Sequence, residues 1–330
     1  MEEINLVAVV IPNYNGTKYL ERSLASLKEQ TFSDYCVIVS DDCSSDDSIA
    51  VCKKCSPDTI LISRECNGGF SAAVNDGIRQ GIQMGAEYII LLNNDTEVAP
   101  DFIEQLFTAA STHKHCFSVQ ARMLSLANPE ILDDAGDFYM LPGFAYARGK
   151  GKEAKRYEKA CRIFSSCAGA AIYNVSVLQE IGLFDEMHFA YLEDVDIGYR
   201  ARIFGYYNYY EPKAIVYHAG SATSGSRYNE FKTRLAARNS IYLIYKNQTV
   251  LQWILHWPCI LAGLLVKQLF FCRKGMGKIY FQSVLEGFSM SFSNEGKKHK
   301  VRFRMKNLGN YLRLELELWW NMVRKLFSYF

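Results

Sequence analysis

Short apolar runs alternate along the chain with segments whose apolar residues recur at helical spacing. The first run, residues 6–11, has no polar alternation, which is typical of a strand covered on both faces in a parallel sheet. Leu20, Leu24 and Leu27 then share one helical face. Further predicted strands occupy residues 36–39, 59–63, 88–92 and 214–217, and further predicted helices occupy residues 69–84, 175–181 and 194–204. This alternation predicts an α/β fold with a Rossmann-like, doubly wound and mostly parallel sheet.

Acidic and amide residues stand next to several of these elements. Asp41–Asp42 follows the second predicted strand, Asn93–Asn94–Asp95 follows the strand at 88–92, and Glu193–Asp194 opens a predicted helix. Open α/β folds bind their ligands at the C-terminal edge of the sheet, where parallel strands end together. We therefore expect the active site at that edge.

Residues 133–162 interrupt the pattern with Gly, charged and aromatic residues. A polar stretch of this length is either a disordered connection or a lid, with a passive surface loop as a further alternative. Because acidic segments flank it in the sequence, a mobile lid is the favoured prediction.

Charge divides the chain of 330 residues into two unequal parts. Residues 1–220 contain 19 Lys and Arg against 30 Asp and Glu, whereas residues 221–330 contain 18 against 5. The length exceeds that of most single domains. We predict an α/β domain over residues 1–225 and a basic, amphipathic helical region over residues 226–330, each with different partners.

The C-terminal region combines apolar and cationic features. Residues 247–266 are uncharged, but Gln, His and Pro interrupt them, which favours an interfacial or re-entrant helix over a simple membrane span. A cationic cluster at 297–306 precedes an apolar helical stripe formed by Leu312, Leu316, Trp319, Val323, Leu326 and Phe330, with Trp320 and Phe327 beside it. Such a combination is typical of helices that bind anionic membrane surfaces. Docking on a second subunit is the alternative, and nucleic acid is disfavoured because no recognition motif accompanies the charge.

The ten cysteines do not form a disulfide pattern. They are scattered, and the N-terminal residues lack a basic and apolar leader, so we expect a cytoplasmic protein at the inner face of the cell membrane. Cys52 and Cys55 have CxxC spacing without a second pair, which favours ordinary helical cysteines over a metal or redox site.

Six segments of the chain resemble the family 2 glycosyltransferases of the GT-A fold, enzymes that use nucleotide-activated sugars, and they occur in the same order as in that family. They extend over about two thirds of the chain, and their Asn-Asn-Asp-Thr and Glu-Asp-Val-Asp-Ile segments are similar to those of bacterial rhamnosyltransferase-like members. The segments are residues 9–16, 39–46, 67–75, 91–97, 182–202 and 217–218.

The resemblance implies a role for each matching residue in donor binding. Asp41 would accept a hydrogen bond from the imide N–H of uracil or thymine, as a carboxylate at a strand end can do. The alternative for Asp41 is an N-cap. The other residues implied in nucleotide-sugar binding are Pro12, Tyr14, Asn15, Asn67, Gly69, Asn75 and Asn94.

A divalent cation, Mn²⁺ or Mg²⁺, is the implied cofactor, because the diphosphate leaving group carries concentrated negative charge. The resemblance assigns Asp95 and His218 as ligands. The family usually has Asp-x-Asp where this chain has Asn93–Asn94–Asp95, so one carboxylate is missing and weaker metal binding is expected. A structural histidine is the alternative for His218.

The family's Glu-Asp motif corresponds to Glu193–Asp194. A base must remove the proton of the acceptor hydroxyl, and carboxylates do this in sugar chemistry. Asp194 is the first candidate, Glu193 the second and Asp196 the third, with helix capping as the alternative role.

These inferences predict an inverting glycosyltransferase. It would move a sugar, with rhamnose as a candidate, from a UDP- or dTDP-sugar to a glycan or lipid-linked acceptor in cell-surface polysaccharide synthesis. The alternatives are a non-catalytic nucleotide-sugar-binding scaffold of a glycan-assembly complex and a sugar-phosphate nucleotidyltransferase. A homo-oligomer is also compatible with the sequence.

Overall fold

The computed structural model describes residues 6–220 and 228–327. Twelve strands are present in these residues, and most of them belong to one sheet. The strands are β1 (Val7–Asn13), β2 (Tyr35–Asp41), β3 (Ile60–Ser63), β4 (Tyr88–Leu92), β5 (Thr96–Val98), β6 (Cys116–Ser125), β7 (Leu132–Asp134), β8 (Asp137–Met140), β9 (Phe144–Ala147), β10 (Cys161–Ile163), β11 (Ala170–Asn174) and β12 (Tyr207–His218).

Eleven α-helices accompany the strands in the described residues. Three short 3-10 turns, at Ala154–Tyr157, Glu186–His188 and Met305–Asn307, supplement them. The helices are α1 (Thr17–Lys28), α2 (Ser48–Cys55), α3 (Phe70–Gln83), α4 (Phe102–Thr112), α5 (Val175–Ile181), α6 (Glu193–Phe204), α7 (Glu230–Asn247), α8 (Val250–Arg273), α9 (Gly277–Phe292), α10 (Asn294–Lys298) and α11 (Leu308–Phe327).

The predicted α/β class is confirmed, with a sheet that is mixed. Its strand order is β10-β12-β6-β11-β4-β1-β2-β3. In addition, β5 pairs with β12 and β7 pairs with β6. The half built from β4, β1, β2 and β3 is parallel, as the alternation predicts. β11 enters antiparallel between β4 and β6. The register sets Asn13 beside Asp41, so the ends of β1 and β2 are neighbours.

Apolar clusters cover both faces of the sheet. Alternate residues of β1 point to opposite clusters, with Val7, Val9 and Ile11 on one side and Ala8 and Val10 on the other, and all five are fully buried. A strand without a solvent-facing side has no polar alternation, which explains the continuous apolar run in the sequence.

The segment 133–162 forms regular secondary structure, so it is not a disordered connection, and the predicted mobile lid stays a prediction. It contains the antiparallel hairpin β8–β9 and strand β10. Leu132, Phe138, Tyr139 and Leu141 are buried in a third apolar cluster that also receives residues of α6, α7 and α11. The apolar residues that fix this segment are separated by Gly and charged residues, so neither strand nor helix periodicity is visible in the sequence.

Helix α7 packs deeply against the α/β part of the chain. Residues from Asn239 to Asn247 are all buried, and Lys246 is among them. The predicted boundary between residues 225 and 226 lies outside the described residues. Because α7 is buried in this way, it shares an apolar core with the α/β part, and the later helices follow directly from it.

Helices α8 and α11 each present two different faces. α8 buries Gln252, His256, Ile260 and Gly263, while most of its leucines remain exposed. α11 buries Tyr311, Leu314 and Leu318. The exposed side of α11 carries Leu312, Leu316, Trp319 and Trp320 of the predicted stripe, whereas Phe330 and the side chains of Leu326 and Phe327 lie outside the described residues.

Candidate active site

The ends of β1 and β2 and the turn after β4 form one hydrogen-bonded corner. Asn13 Nδ2 donates to Asp41 Oδ1 at 2.7 Å, and Asn94 Nδ2 donates to Asn13 Oδ1 at 2.7 Å. Asp41 also accepts from the backbone N–H of Ser44 at 2.9 Å and from its hydroxyl at 2.6 Å. Asp41 is buried, and its carboxylate accepts the hydrogen bonds that hold Asn13 and Ser44 in this corner.

The segment after β1 presents the predicted base-binding residues. Pro12 is partly buried and Tyr14 is 42% exposed. Asn15 has a φ of +52° and accepts the Ser45 N–H at 2.9 Å through its side-chain oxygen. Tyr14 is therefore exposed beside the corner, and the polar groups of the corner are already hydrogen-bonded to one another.

Asp42 organises the segment before α3. Its two carboxylate oxygens accept the backbone N–H groups of Gly68 and Gly69 at 2.9 and 2.8 Å. Asn67 is exposed and accepts the Gly69 N–H at 3.1 Å. Gly69 has a φ of +82°, and an added Cβ would lie 2.5 Å from the Phe189 carbonyl oxygen, so a side chain is excluded there.

Asn75 has a different setting from the other predicted donor-binding residues. It is 2% exposed, and its amide nitrogen donates to the Phe184 carbonyl oxygen at 2.8 Å and to Glu186 Oε1 at 2.9 Å. Its oxygen accepts the Phe184 N–H at 3.1 Å. In this structure Asn75 ties α3 to the segment that leads toward α6.

Asp95 and His218, the predicted metal ligands, lie together. His218 Nε2 is 3.1 Å from Asp95 Oδ1, and His218 Nδ1 is 2.8 Å from Asp133 Oδ2. Burial alone would lower the pKa of His218, but the hydrogen bonds with Asp133 and Asp95 raise it to about 9. The imidazolium lies between the two carboxylates, and the Lys150 ammonium, 2.8 Å from Asp133 Oδ1, adds a second positive charge.

Further carboxyl groups gather beside this pair. Burial raises the pKa of Asp134 to about 7, and the charges of Asp133 and Asp194 add to the rise. Burial also raises the pKa of Asp194 to about 6, while backbone N–H groups, including that of Val195 at 2.7 Å, oppose the rise. The pKa values of Asp137 and Glu193 are raised well above the ordinary range, in each case chiefly by burial and then by neighbouring carboxylates. The structure thus brings Glu193 and Asp194 within the electrostatic reach of the segment after β7.

Sequence reasoning missed Asp133, Asp134, Asp137 and Lys150. Lys150 Nζ lies 2.8 Å from Asp133 Oδ1, and Lys150 sits between two glycines that both have a φ of +77°. These residues occur in the segment expected to be a lid. The only signal available was the local density of carboxylates at 133–137, which does not reveal a partner as distant as His218.

A second group of ionisable residues lies behind α6. Ligand atoms of Asp185, His188 and Asp196 lie within 4.8 Å of one another, a donor set consistent with a divalent metal. Lys246 Nζ, however, lies 2.7 Å from Asp185 Oδ2 and 2.8 Å from Asp196 Oδ2, and Arg200 also pairs with Asp196. Two cations already balance the two carboxylates, so a metal ion would have to displace the Lys246 ammonium.

Asp196, the third candidate base, belongs to this second group. It is fully buried and accepts hydrogen bonds from Arg200, Lys246 and Asn247. With these partners its carboxylate is committed to holding α6 against α7, so the structure argues against it as the base.

Comparison with solved structures places the fold among GT-A-like glycosyltransferases. The structure titled GalNAc-T7 with UDP, GalNAc and Mn²⁺ superposes with a TM-score of 0.58 at 17% identity, over 74% of this chain and 48% of that chain. The mannosyltransferase from Pyrobaculum calidifontis, in complex with GDP-Man and Mn²⁺, gives 0.53 at 14% identity, over 89% of this chain and 82% of that chain.

The chain belongs to glycosyl transferase family 2, whose family model matches residues 8–182. It is 27% identical over 248 residues to the N-acetylglucosaminyl-diphospho-decaprenol L-rhamnosyltransferase of Mycobacterium tuberculosis, covering 67% of this chain and 78% of the relative. It is 29% identical over 113 residues to the GalNAc(5)-diNAcBac-PP-undecaprenol beta-1,3-glucosyltransferase of Campylobacter jejuni, covering 34% and 37% respectively.

The raised pKa of Asp134 predicts a pH-dependent stability. Because the unfolded carboxyl ionises first, near its ordinary pKa, this group favours the folded state at low pH, and the contribution is lost as pH rises toward 7. Asp134→Asn keeps the acceptor for the Gly136 N–H but removes the charge. We expect the variant to gain about 1 kcal/mol or more relative to wild type between pH 5 and pH 8, measured by urea unfolding.

Comparing two pH values separates the charge effect from any fixed cost of the new amide. The control is Asp58→Asn, an exposed site outside the cluster. A difference between Asp134→Asn and wild type that stays constant from pH 5 to pH 8 would contradict the proposed repulsion.

Proposed function

We propose that this family 2 enzyme transfers a sugar from a UDP- or dTDP-sugar to a glycan or lipid-linked acceptor, with inversion at the anomeric carbon. Three observations support the proposal: His218 lies against Asp95 and Asp133, Asn94 is hydrogen-bonded to Asn13 of the corner, and the charge of Asp194 raises the pKa of Asp134, the neighbour of Asp133. Rhamnose is the candidate sugar, since the Mycobacterium tuberculosis relative is named a rhamnosyltransferase. Its lipid-linked substrate name, and that of the Campylobacter jejuni relative, support a polyprenyl-diphosphate acceptor in cell-surface polysaccharide synthesis.

The donor would be held by the corner and by the acidic residues next to it. Asp41 would accept from the base, with Pro12, Tyr14 and Asn15 lining the base and ribose. Asn67, Gly69, Asn75 and Asn94 complete the proposed donor set. Since Asp41 is now bonded to Asn13 and Ser44, base binding requires one of these partners to turn away or to share the carboxylate.

Asp95 and His218 fit a divalent cation by ligand type and by their surroundings. Histidines that bind metals commonly place their second ring nitrogen against a carboxylate, and His218 Nδ1 has that relation to Asp133. A bound cation would neutralise the charge that develops on the diphosphate as the glycosidic bond breaks. With a single carboxylate at 93–95, Asp133 supplies negative charge from a different segment.

Asp194 is the proposed base. At neutral pH a carboxyl with a pKa of about 6 is mostly ionised yet basic enough to accept a proton, which suits general base catalysis. Burial, and then the charge of Asp194, raise the pKa of its neighbour Glu193 well above the ordinary range. The acceptor oxygen would form its bond to the anomeric carbon as the bond to the diphosphate breaks, and the hydroxyl proton would pass to Asp194.

The two neighbouring acids give a matched test of this assignment. Asp194→Asn is expected to lower kcat by about 100-fold or more, because general base catalysis contributes roughly that much. Glu193→Gln should retain more activity, since it keeps the size of the side chain and leaves the proposed base Asp194 in place. In wild type kcat/KM should increase as pH rises through about 6, and this increase should be absent from Asp194→Asn.

Transfer and donor hydrolysis are measured on a panel of UDP- and dTDP-sugars. Wild-type and Asp194→Asn proteins with the same background rate would favour the non-catalytic scaffold. A larger loss in Glu193→Gln than in Asp194→Asn would reassign the base.

The C-terminal helices fit the surface of an anionic membrane. α8 has 24 residues, and by length and composition it could cross a membrane. Its buried stripe is tied to the protein, since His256 Nε2 lies 2.7 Å from Glu315 Oε1 and Gln252 donates to Glu315 at 3.1 Å. The outward leucines are exposed, with Leu255 at 62% and Leu269 at 63%. α8 buries one side between Gln252 and Gly263 and exposes leucines on the other, which favours a position in the plane of the interface.

Exposed basic residues accompany this apolar surface. Arg273 ends α8, Lys274 and Lys278 follow it, and Lys297, Lys298, Arg302, Arg304 and Lys306 precede α11. Lys300 differs, because its Nζ donates to the Tyr245 carbonyl oxygen at 2.6 Å and stands over the Tyr245 ring. We therefore assign Lys300 to packing, and the other cations to lipid headgroups at the cytoplasmic face.

Charge reversal tests membrane attachment. Each surface cation contributes on the order of 1 kcal/mol, so Lys297→Glu, Arg302→Glu and Lys306→Glu combined should weaken binding to vesicles of phosphatidylglycerol and phosphatidylcholine by about 100-fold or more. Binding is measured by vesicle sedimentation. The control reverses the exposed Lys114, Lys152 and Lys159 of the α/β part and should bind like wild type. Undiminished vesicle binding by the first variant, or protein that self-associates instead of binding vesicles, would reject the membrane partner in favour of a second subunit.

A further inference from the structure

The segment immediately before Glu193 and Asp194 has an unusual backbone. Phe189, Tyr191 and Leu192 have φ values of +62°, +70° and +69°. Non-glycine residues rarely adopt this left-handed region, and such residues persist only where surrounding contacts hold them. Three of them within four positions indicate that something outside this segment fixes its shape.

Asn239 of α7 provides those contacts. Its amide nitrogen lies 2.9 Å from the His188 and Ala190 carbonyl oxygens and 2.8 Å from that of Tyr191. Asn239 is fully buried, and its own oxygen accepts Arg238 Nε at 2.9 Å, which fixes the orientation of the amide.

Arg238 adds to the same attachment. Its Nη2 donates to the carbonyl oxygens of Met187 and His188 at 3.1 and 2.9 Å. Two adjacent residues of one helix therefore bind four carbonyl oxygens of this segment, those of Met187, His188, Ala190 and Tyr191. The C-terminal end of α7 holds α6 itself, because Lys246 and Asn247 donate hydrogen bonds to Asp196.

We propose that Asn239 is a positioning residue for Asp194: it holds the left-handed segment 189–192 so that the first turn of α6 presents Asp194 to the acceptor hydroxyl. This inference rests on the proposed function, because it takes Asp194 as the base. The contact of Asn239 is with backbone oxygens, so it acts through the segment and not on the substrate. The helix that carries Asn239 belongs to the basic C-terminal part of the chain, and the site is incomplete without it.

Asn239→Asp tests the proposal with little change of shape. The new carboxylate keeps its pairing with Arg238 but has no proton to donate to the three carbonyl oxygens. Because small displacements of a reacting group cost about 100-fold in rate, kcat should fall by about that factor. The donor KM should stay within about threefold of wild type, since the proposed donor contacts lie on other elements.

Asn208→Asp is the matched control. Asn208 of β12 is also fully buried, and its amide also donates to a backbone carbonyl oxygen, that of Phe164 after β10. Its hydrogen-bond partners lie outside the segment 189–192, so kcat per folded molecule should remain near that of wild type. Equal losses of kcat in the two variants, or a loss in Asn239→Asp that appears in the donor KM, would overturn the proposal.

Hydrogen exchange provides a readout that does not depend on activity. In Asn239→Asp the backbone amides of residues 190–195 should exchange at least about 10-fold faster than in wild type, while those of β1 and β4 remain unchanged. If Asn239→Asp does not fold, Asn239→Ser is measured in its place. Unchanged exchange at 190–195 would overturn the proposal, whereas wild-type kcat in Asp194→Asn would reject the base assignment and leave the exchange result intact.

Discussion

Repulsion between carboxylates at one edge of the sheet is the constraint around which the site is built. Asp95, Asp133, Asp134 and Asp194 come from three separate parts of the chain, and their charges are only partly screened because the site is buried. Such a group is tolerated when cations or protons compensate it. Here His218 and Lys150 supply positive charge, and the raised pKa values retain protons. The proposed cation would add positive charge to this site and join it to the donor diphosphate.

The uneven distribution of charge along the sequence also corresponds to ion pairs in the structure. The acidic part of the chain receives cations from the basic part, as in the pairing of Lys246 with Asp185 and Asp196. Arg238 and Asn239 bind the backbone that leads to Asp194. The C-terminal region thus has two faces, one that completes the α/β part and one that exposes leucine, tryptophan and basic side chains. The proposed membrane surface and the proposed base are connected through α7.

Local patterns predicted those features that are local in origin. The strands β1 to β4, helix α5 and the start of α6 follow from apolar runs, helical spacing and acidic helix starts, and the ordered motifs indicated the family. The hairpin β8–β9 was not predicted, because its order depends on Phe138 and Tyr139 meeting α6, α7 and α11. Asp133 was missed for the same reason, since its role depends on His218, 85 positions away. Asn239 had no signal either, because a buried asparagine in a helix shows its purpose only in the contacts it makes.

The central claim is that the acidic site, and not the group behind α6, receives the cation that accompanies the donor diphosphate. The most direct measurement is the anomalous diffraction of crystals of the enzyme grown with MnCl₂ and UDP or dTDP. A manganese peak between Asp95 and His218, with the diphosphate beside it, is the predicted result. A peak among Asp185, His188 and Asp196, or nucleotide bound without any manganese at Asp95, would contradict it.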